Sequence, residues 1–121
     1  MWTFSQSLGH LLDSSGVIVG QGWAGQLAGK NNPTMQDVPK IGPLPQGTYS
    51  IGPPHDSPRT GPYTMDLVPD PTNQMFGRSD FRIHGAAKKS PELSSEGCIV
   101  MPPAVRKTIW ASGDHTIQVI A

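Results

Sequence analysis

Apolar and polar residues alternate over short stretches of this chain, and glycine or proline breaks each stretch before a helical period can build. Trp2, Phe4 and Gln6 alternate with Thr3, Ser5 and Ser7, Leu8-Gly9 turns the chain, and His10-Leu11-Leu12 follows. Asp13-Ser14-Ser15-Gly16 is a second turn cluster, and Val17-Ile18-Val19 then opens a third strand towards Trp23. Period-two alternation between turn residues predicts a β-meander over the first 23 residues. The β-branched content favours strands here. Further strands are predicted over 47–51, 63–68, 81–84, 98–101 and 115–120. Gly52-Pro53-Pro54 ends the first of these, because proline cannot donate to a central ladder. The stretches 52–62 and 69–73 read as loops. Pro102-Pro103 opens one helix, since proline suits a first turn whose N–H would be unpaired anyway. Val105, Ile109 and Trp110 supply its apolar face and Gly113 its cap. The expected total is seven or eight short strands and one helix near the C-terminus.

Residues 24–45 show no period and hold three glycines and four prolines. A structureless stretch of that length is either a surface connection between sheet edges or a wall or lid of a cleft. Both readings stand at this point.

A length of 121 residues suits one domain, here spanning 1–121, with one modest core. Apolar residues make up 36% and charged residues 15%, because 14 glycines and 13 prolines take their place. Without a three-residue period that excess means turns, and three tryptophans leave material for a core. Nine basic residues cancel nine acidic ones, so no field draws the chain to nucleic acid. No apolar run approaches the roughly 20 residues of a membrane span. The opening MWTFSQSLGHLL has no basic leader with a cleavage site. The protein is therefore expected to be made in the cytoplasm and to stay there or leave by a non-classical route, unless a leader was removed. One cysteine excludes an intrachain disulfide, and four scattered histidines show no zinc-ligand spacing, so no metal or cofactor is expected.

The chemistry concentrates in FRIHGAAKKSPELSSEGCIV, residues 81–100. His84 ends a strand at Gly85, a polar loop follows, and Ser-Glu-Gly leads into Cys98 at the start of the next strand. If the strands are neighbours, the imidazole and the thiol meet. An imidazole can take the thiol proton and release the nucleophile. Gly97 lets backbone N–H groups near Cys98 converge on an oxyanion. Ser94 or Ser95 would orient the imidazole or bond substrate. Arg78 and Arg82 precede His84, and an arginine fork suits a carboxylate. Arg82 is the better placed, two residues from His84 and so on one strand face. Taken singly, a cysteine is usually a buried hydrophobe and a histidine or arginine a solvated polar group.

The pattern His-Gly, loop, Ser-x-Gly-Cys resembles the signature of the L,D-transpeptidase catalytic domain, the YkuD-like fold. The stretches FSQSLGHLLDSSG, GKNNPTMQDVPKIGPLPQGTYSIGPP, GPYTMDLVPDPTNQMFGRSDFRIHG and SSEGCIVMPPAVRKTIW are similar to small members of that family, among them effectors of type VI secretion. The resemblance implies a mainly β sandwich or barrel. It implies Cys98 as acylated nucleophile, His84 as base, and Ser95, Glu96 and Gly97 framing the oxyanion site and the thiol loop. Arg82, Arg78, Glu96 and Gly85 would then face the substrate. It further implies a peptidoglycan tetrapeptide stem as substrate, loss of its terminal D-alanine, and transfer to water or to an amine. Action in a target cell's periplasm, an immunity protein as partner and a monomeric state complete the expectation. The chain departs from common members in carrying Glu96 where they have histidine and Val100 where many have arginine or asparagine, and its His-to-Cys loop is short.

Two other readings compete. A papain-like pairing of Cys98 with His115 has the right order, but there the cysteine opens a helix. A non-enzymatic wall-binding or secretion module would carry an unused thiol; a catalytic Cys98 is expected to have a lowered pKa and to alkylate fast.

Overall fold

The alternating segments form ten short strands in a computed structural model that describes residues 1–121. They are β1 (Trp2–Ser5), β2 (His10–Leu12), β3 (Ile18–Gln21), β4 (Trp23–Ala24), β5 (Gly47–Ile51), β6 (His55–Ser57), β7 (Gly61–Pro69), β8 (Phe81–His84), β9 (Ile99–Val100) and β10 (Thr116–Ile120). One α-helix, α1 (Pro103–Ala111), lies between the last two. Gly113 follows it with φ +76, and its N–H bonds Trp110 O, the capping expected from the sequence.

The strands join in the order β3-β2-β1-β10-β5-β7-β8-β9-β4, with β6 paired to β7 off that path. The two ends of the path, β3 and β4, are consecutive in the chain and separated only by Gly22. One stretch of backbone thus pairs with β2 and then with β9, and the sheet rolls into a nearly closed barrel. A Cβ at Gly22 would overlap the Val100 carbonyl oxygen, so the seam closes only around glycine. The first and last strands, β1 and β10, pair in parallel, with Trp2 opposite Ile117 and Phe4 opposite Val119.

Alternation sends one side of each strand inward. Trp2, Phe4, Tyr49, Ile51, Met65, Leu67, Phe81, Ile83, Ile99, Ile117 and Val119 share a core with Ile109 of α1. Each such side chain contributes about 1.5–3 kcal/mol by leaving water.

Three details differ from the sequence reading. His55–Ser57 forms a strand rather than a loop, joining β7 through His55–Thr64 and Ser57–Gly61 pairs. Its residues have no apolar alternation because its partner is a backbone edge rather than the core. The strand expected over 98–101 shortens to two residues. Arg106 of α1 is buried beside Ile109, where the sequence reading named only Val105, Ile109 and Trp110 for the apolar face.

Candidate functional site

β8 and β9 are parallel neighbours, with Ile83 opposite Ile99 and His84 opposite Val100. Ile83 and Ile99 point into the core. Arg82, His84, Cys98 and Val100 therefore occupy the other face, and all four line one cleft of about 1310 Å³. Continuing the register one residue back sets Cys98 beside Arg82. With strands about 4.8 Å apart and a rise of about 3.3 Å per residue, Cys98 and His84 are diagonal neighbours roughly 8 Å apart at Cα. That gap is within the combined reach of a thiol and an imidazole. The parallel pairing thus puts on one cleft face two groups that the sequence separates by fourteen positions; no hydrogen bond joins them, and the thiol's partner is Asp80 O.

The imidazole of His84 is fixed by its own strand end. Nδ1 lies 2.8 Å from Gly85 O. A carbonyl only accepts, so Nδ1 carries the proton and a neutral ring leaves its Nε2 lone pair free. His84 is 3% exposed, and burial, reinforced by Arg106 and Arg82, holds its pKa below the ordinary value against the opposing Gly85 bond. Cys98 is 8% exposed, and its Sγ lies 3.8 Å from Asp80 O. Burial pushes the thiol up, while the Arg82 backbone bond and guanidinium draw it down by less. A lowered thiol pKa was the expectation for a catalytic Cys98; burial instead holds the thiol above its ordinary value and the imidazole below its own, because both charged forms lose water.

The loop before the thiol is built from Ser95 and Gly97. Ser95 is fully buried. Its Oγ accepts from Gly25 N at 2.9 Å and Gly97 N at 3.1 Å, and donates to Cys98 O at 2.5 Å. Ser94 Oγ accepts from Ala87 N and donates to Pro91 O. Neither serine orients the imidazole; Gly85 O does that. Ser95 frames the thiol loop through backbone bonds. Gly97 has φ +131, and a Cβ there would meet Arg78 Nη2 at 2.6 Å and Phe81 Cε1 at 2.7 Å. Its N–H is spent on Ser95, so it is no oxyanion donor. The Cys98 N–H has no acceptor within the protein and is the free donor at the thiol.

The two arginines divide. Arg78 is 8% exposed and donates to four backbone carbonyls: Gln36 at 2.6 Å, Pro43 at 2.8 Å, and Gly42 and Glu96 at 3.0 Å. It is neither a substrate fork nor a solvated charge. It is a clamp between the 24–45 excursion and the thiol loop, and the excursion contributes Pro39 and Lys40 to the cleft. The wall reading of that segment is the one the structure supports. Arg82 donates only through Nε, to Asp66 Oδ1 at 3.1 Å, and lines both this cleft and a smaller one that it shares with Asp66 and Asp80. Glu96 is exposed in the cleft, 3.9 Å from Arg59. Gly85 lines the cleft, and a Cβ there would sit 2.7 Å from Arg106 Nη1.

Sequence reasoning missed Arg106. It donates to Met101 O at 2.6 Å, Tyr63 O at 3.2 Å and Pro62 O at 3.3 Å, fastening α1 and the start of β7 behind His84. Its spacing with Ile109 and Trp110 at i+3 and i+4 was the available signal. His115 stacks on Trp110 with centroids 3.8 Å apart and does not line the cleft, which removes the papain-like pairing.

Fold and site together define a small, nearly closed β-sheet domain in which the single cysteine and a strand-end histidine face a common cleft. A model of the Tlde1 domain matches residues 19–118, and the chain belongs to the Tlde1 domain family. Membership points to a type VI secretion effector, and an effector implies an immunity protein as partner. No curated protein and no solved structure matches the chain. No helix is long and apolar enough to cross a membrane.

Proposed function

We propose that this domain is a cysteine-dependent peptidoglycan enzyme that removes the terminal D-alanine from tetrapeptide stems in the periplasm of a target cell. The sequence pattern resembling L,D-transpeptidases motivates the reading. One observation carries it: His84 and Cys98 line one cleft face on adjacent parallel strands, with Nδ1 committed to Gly85 O and Nε2 left free.

The steps follow from a neutral pair. His84 Nε2 takes the Cys98 proton as Sγ attacks the carbonyl carbon of the last peptide bond. The Cys98 N–H faces the oxyanion that develops. The C–N bond breaks, His84 returns the proton to the departing amine, and free D-alanine leaves a thioester on Cys98. Water, deprotonated by the same imidazole, then attacks the thioester carbonyl, the C–S bond breaks, and His84 returns the proton to Cys98 Sγ as the tripeptide leaves; an amine in place of water gives exchange or a cross-link. Arg82 pairs with the carboxylate of the leaving residue. Concerted proton transfer suits the buried site, because no ion pair has to persist before substrate arrives.

Incubation with purified muropeptides tests this. The expected result is loss of one alanine from the tetrapeptide mass with the intact protein and none with Cys98→Ala. Tetrapeptides left whole by the intact protein would refute it. The buried, neutral thiol favours a second reading, a wall-binding module with an unused cysteine, and that outcome would support it.

A further inference from the structure

Arg82 is a long side chain on an open cleft face, and the reaction scheme leaves unassigned what aims it. Three neighbouring strands answer that. β6, β7 and β8 bring His55, Asp66 and Arg82 to one place, and the register sets Asp66 directly opposite Arg82. Asp66 Oδ1 accepts from Arg82 Nε at 3.1 Å and lies 3.1 Å from His55 Nε2. The Asp66 side chain is 54% exposed and does not itself line the cleft, whereas Arg82, at 26%, does. Donation through Nε leaves both terminal nitrogens of Arg82 without a protein acceptor, so the planar fork stays free.

We propose that Asp66 is a positioning residue: it holds Arg82 by Nε, braced by His55 from the far side, and so aims the fork at the carboxylate of the leaving residue. This rests on the proposed function and deepens it by naming the substrate group recognised. Charge and geometry predict opposite signs here. An anion near the fork repels an incoming carboxylate, so Coulomb attraction alone makes removal of Asp66 tighten binding. Loss of aim makes removal weaken it, because the ligand must then order the arginine itself.

The experiment is calorimetric binding of a tetrapeptide stem, as free acid and as C-terminal amide, to full-length protein carrying Cys98→Ala. Adding Asp66→Ala is expected to raise Kd for the free acid about three- to tenfold and to leave the amide unchanged. Asp66→Asn, which keeps an acceptor at the same place, is expected to stay within about twofold of the parent. With Cys98 intact, Asp66→Ala should raise KM and leave kcat. Tighter or equal binding of the free acid by Asp66→Ala overturns the inference, and so does equal weakening of acid and amide. A stem that does not bind at all overturns it together with the proposed function. Release of alanine by the intact protein, with an unchanged Asp66→Ala affinity, overturns this inference alone.

Discussion

Replacing Arg78 with methionine should unfasten the cleft wall while keeping most of the side chain's apolar length. Four carbonyls lose their donor, and the bonds to Pro43 and Gly42 are fully buried. A buried carbonyl left without a partner costs about 1–3 kcal/mol. Two of them give about 2–6 kcal/mol before any gain from Gln36 and Glu96, which water can reach. Removing a guanidinium whose charge burial disfavours returns part of that. A net loss of about 2–4 kcal/mol follows. At about 3–5 °C per kcal/mol for a chain of this size, the melting point should fall by roughly 6–20 °C. Urea unfolding, read by tryptophan fluorescence, measures the change in midpoint. Arg78→Lys should fall between, because one ammonium cannot span four carbonyls. Arg82→Ala should cost under about 1 kcal/mol, since its Asp66 pair is exposed. A wild-type midpoint for Arg78→Met, or an equal loss for Arg82→Ala, would show that the two arginines do not divide into clamp and fork.

Two further outcomes are expected. Gly22→Ala should lose at least about 3 kcal/mol or fail to fold, because the new methyl overlaps the Val100 carbonyl at the barrel seam; a soluble variant with wild-type circular dichroism and midpoint would contradict the closure described. Stability should also vary with pH in two windows. His84 is held below its ordinary value of 6.5, so as pH falls through 6.5 the unfolded chain takes a proton the native one refuses, and stability drops. Cys98 is held above its ordinary value of 9.0, so past pH 9 the unfolded chain releases a proton the native one keeps, and stability drops again. Urea midpoints measured from pH 5 to 10 should show the alkaline fall, and His84→Gln should raise the acid limb relative to wild type, in a window where His55, held up by Asp66, contributes with the opposite sign; parallel acid limbs for wild type and His84→Gln would reject the assignment. The same thiol should alkylate more slowly at pH 7 than an unfolded cysteine peptide.

The strands were legible where side chains report on the core. Ile117 and Val119 point in, Gln118 and Ile120 out, and the alternation is visible without coordinates. The helix was legible in Pro102-Pro103 and its terminal glycine. The site was legible as a pair of residue types at strand ends, since glycine beside each group marks where the backbone must bend. β6 was not legible, because His-Asp-Ser pairs through backbone atoms and leaves no apolar trace.

Alternation, turn residues and prolines, all effects between near neighbours in the chain, determined by themselves that this protein is mainly β with one late helix, and the residue types at two strand ends, in a pattern resembling a known family's, marked His84 and Cys98. Only the tertiary structure decided that β8 and β9 lie side by side, that the sheet closes at Gly22, that Arg78 spends its charge on four carbonyls, and that burial disfavours the charged form of both members of the pair. Those outcomes depend on which distant groups share a dry space, and desolvation and hydrogen-bond partners there are set by the packed fold rather than by the order of residues along the chain.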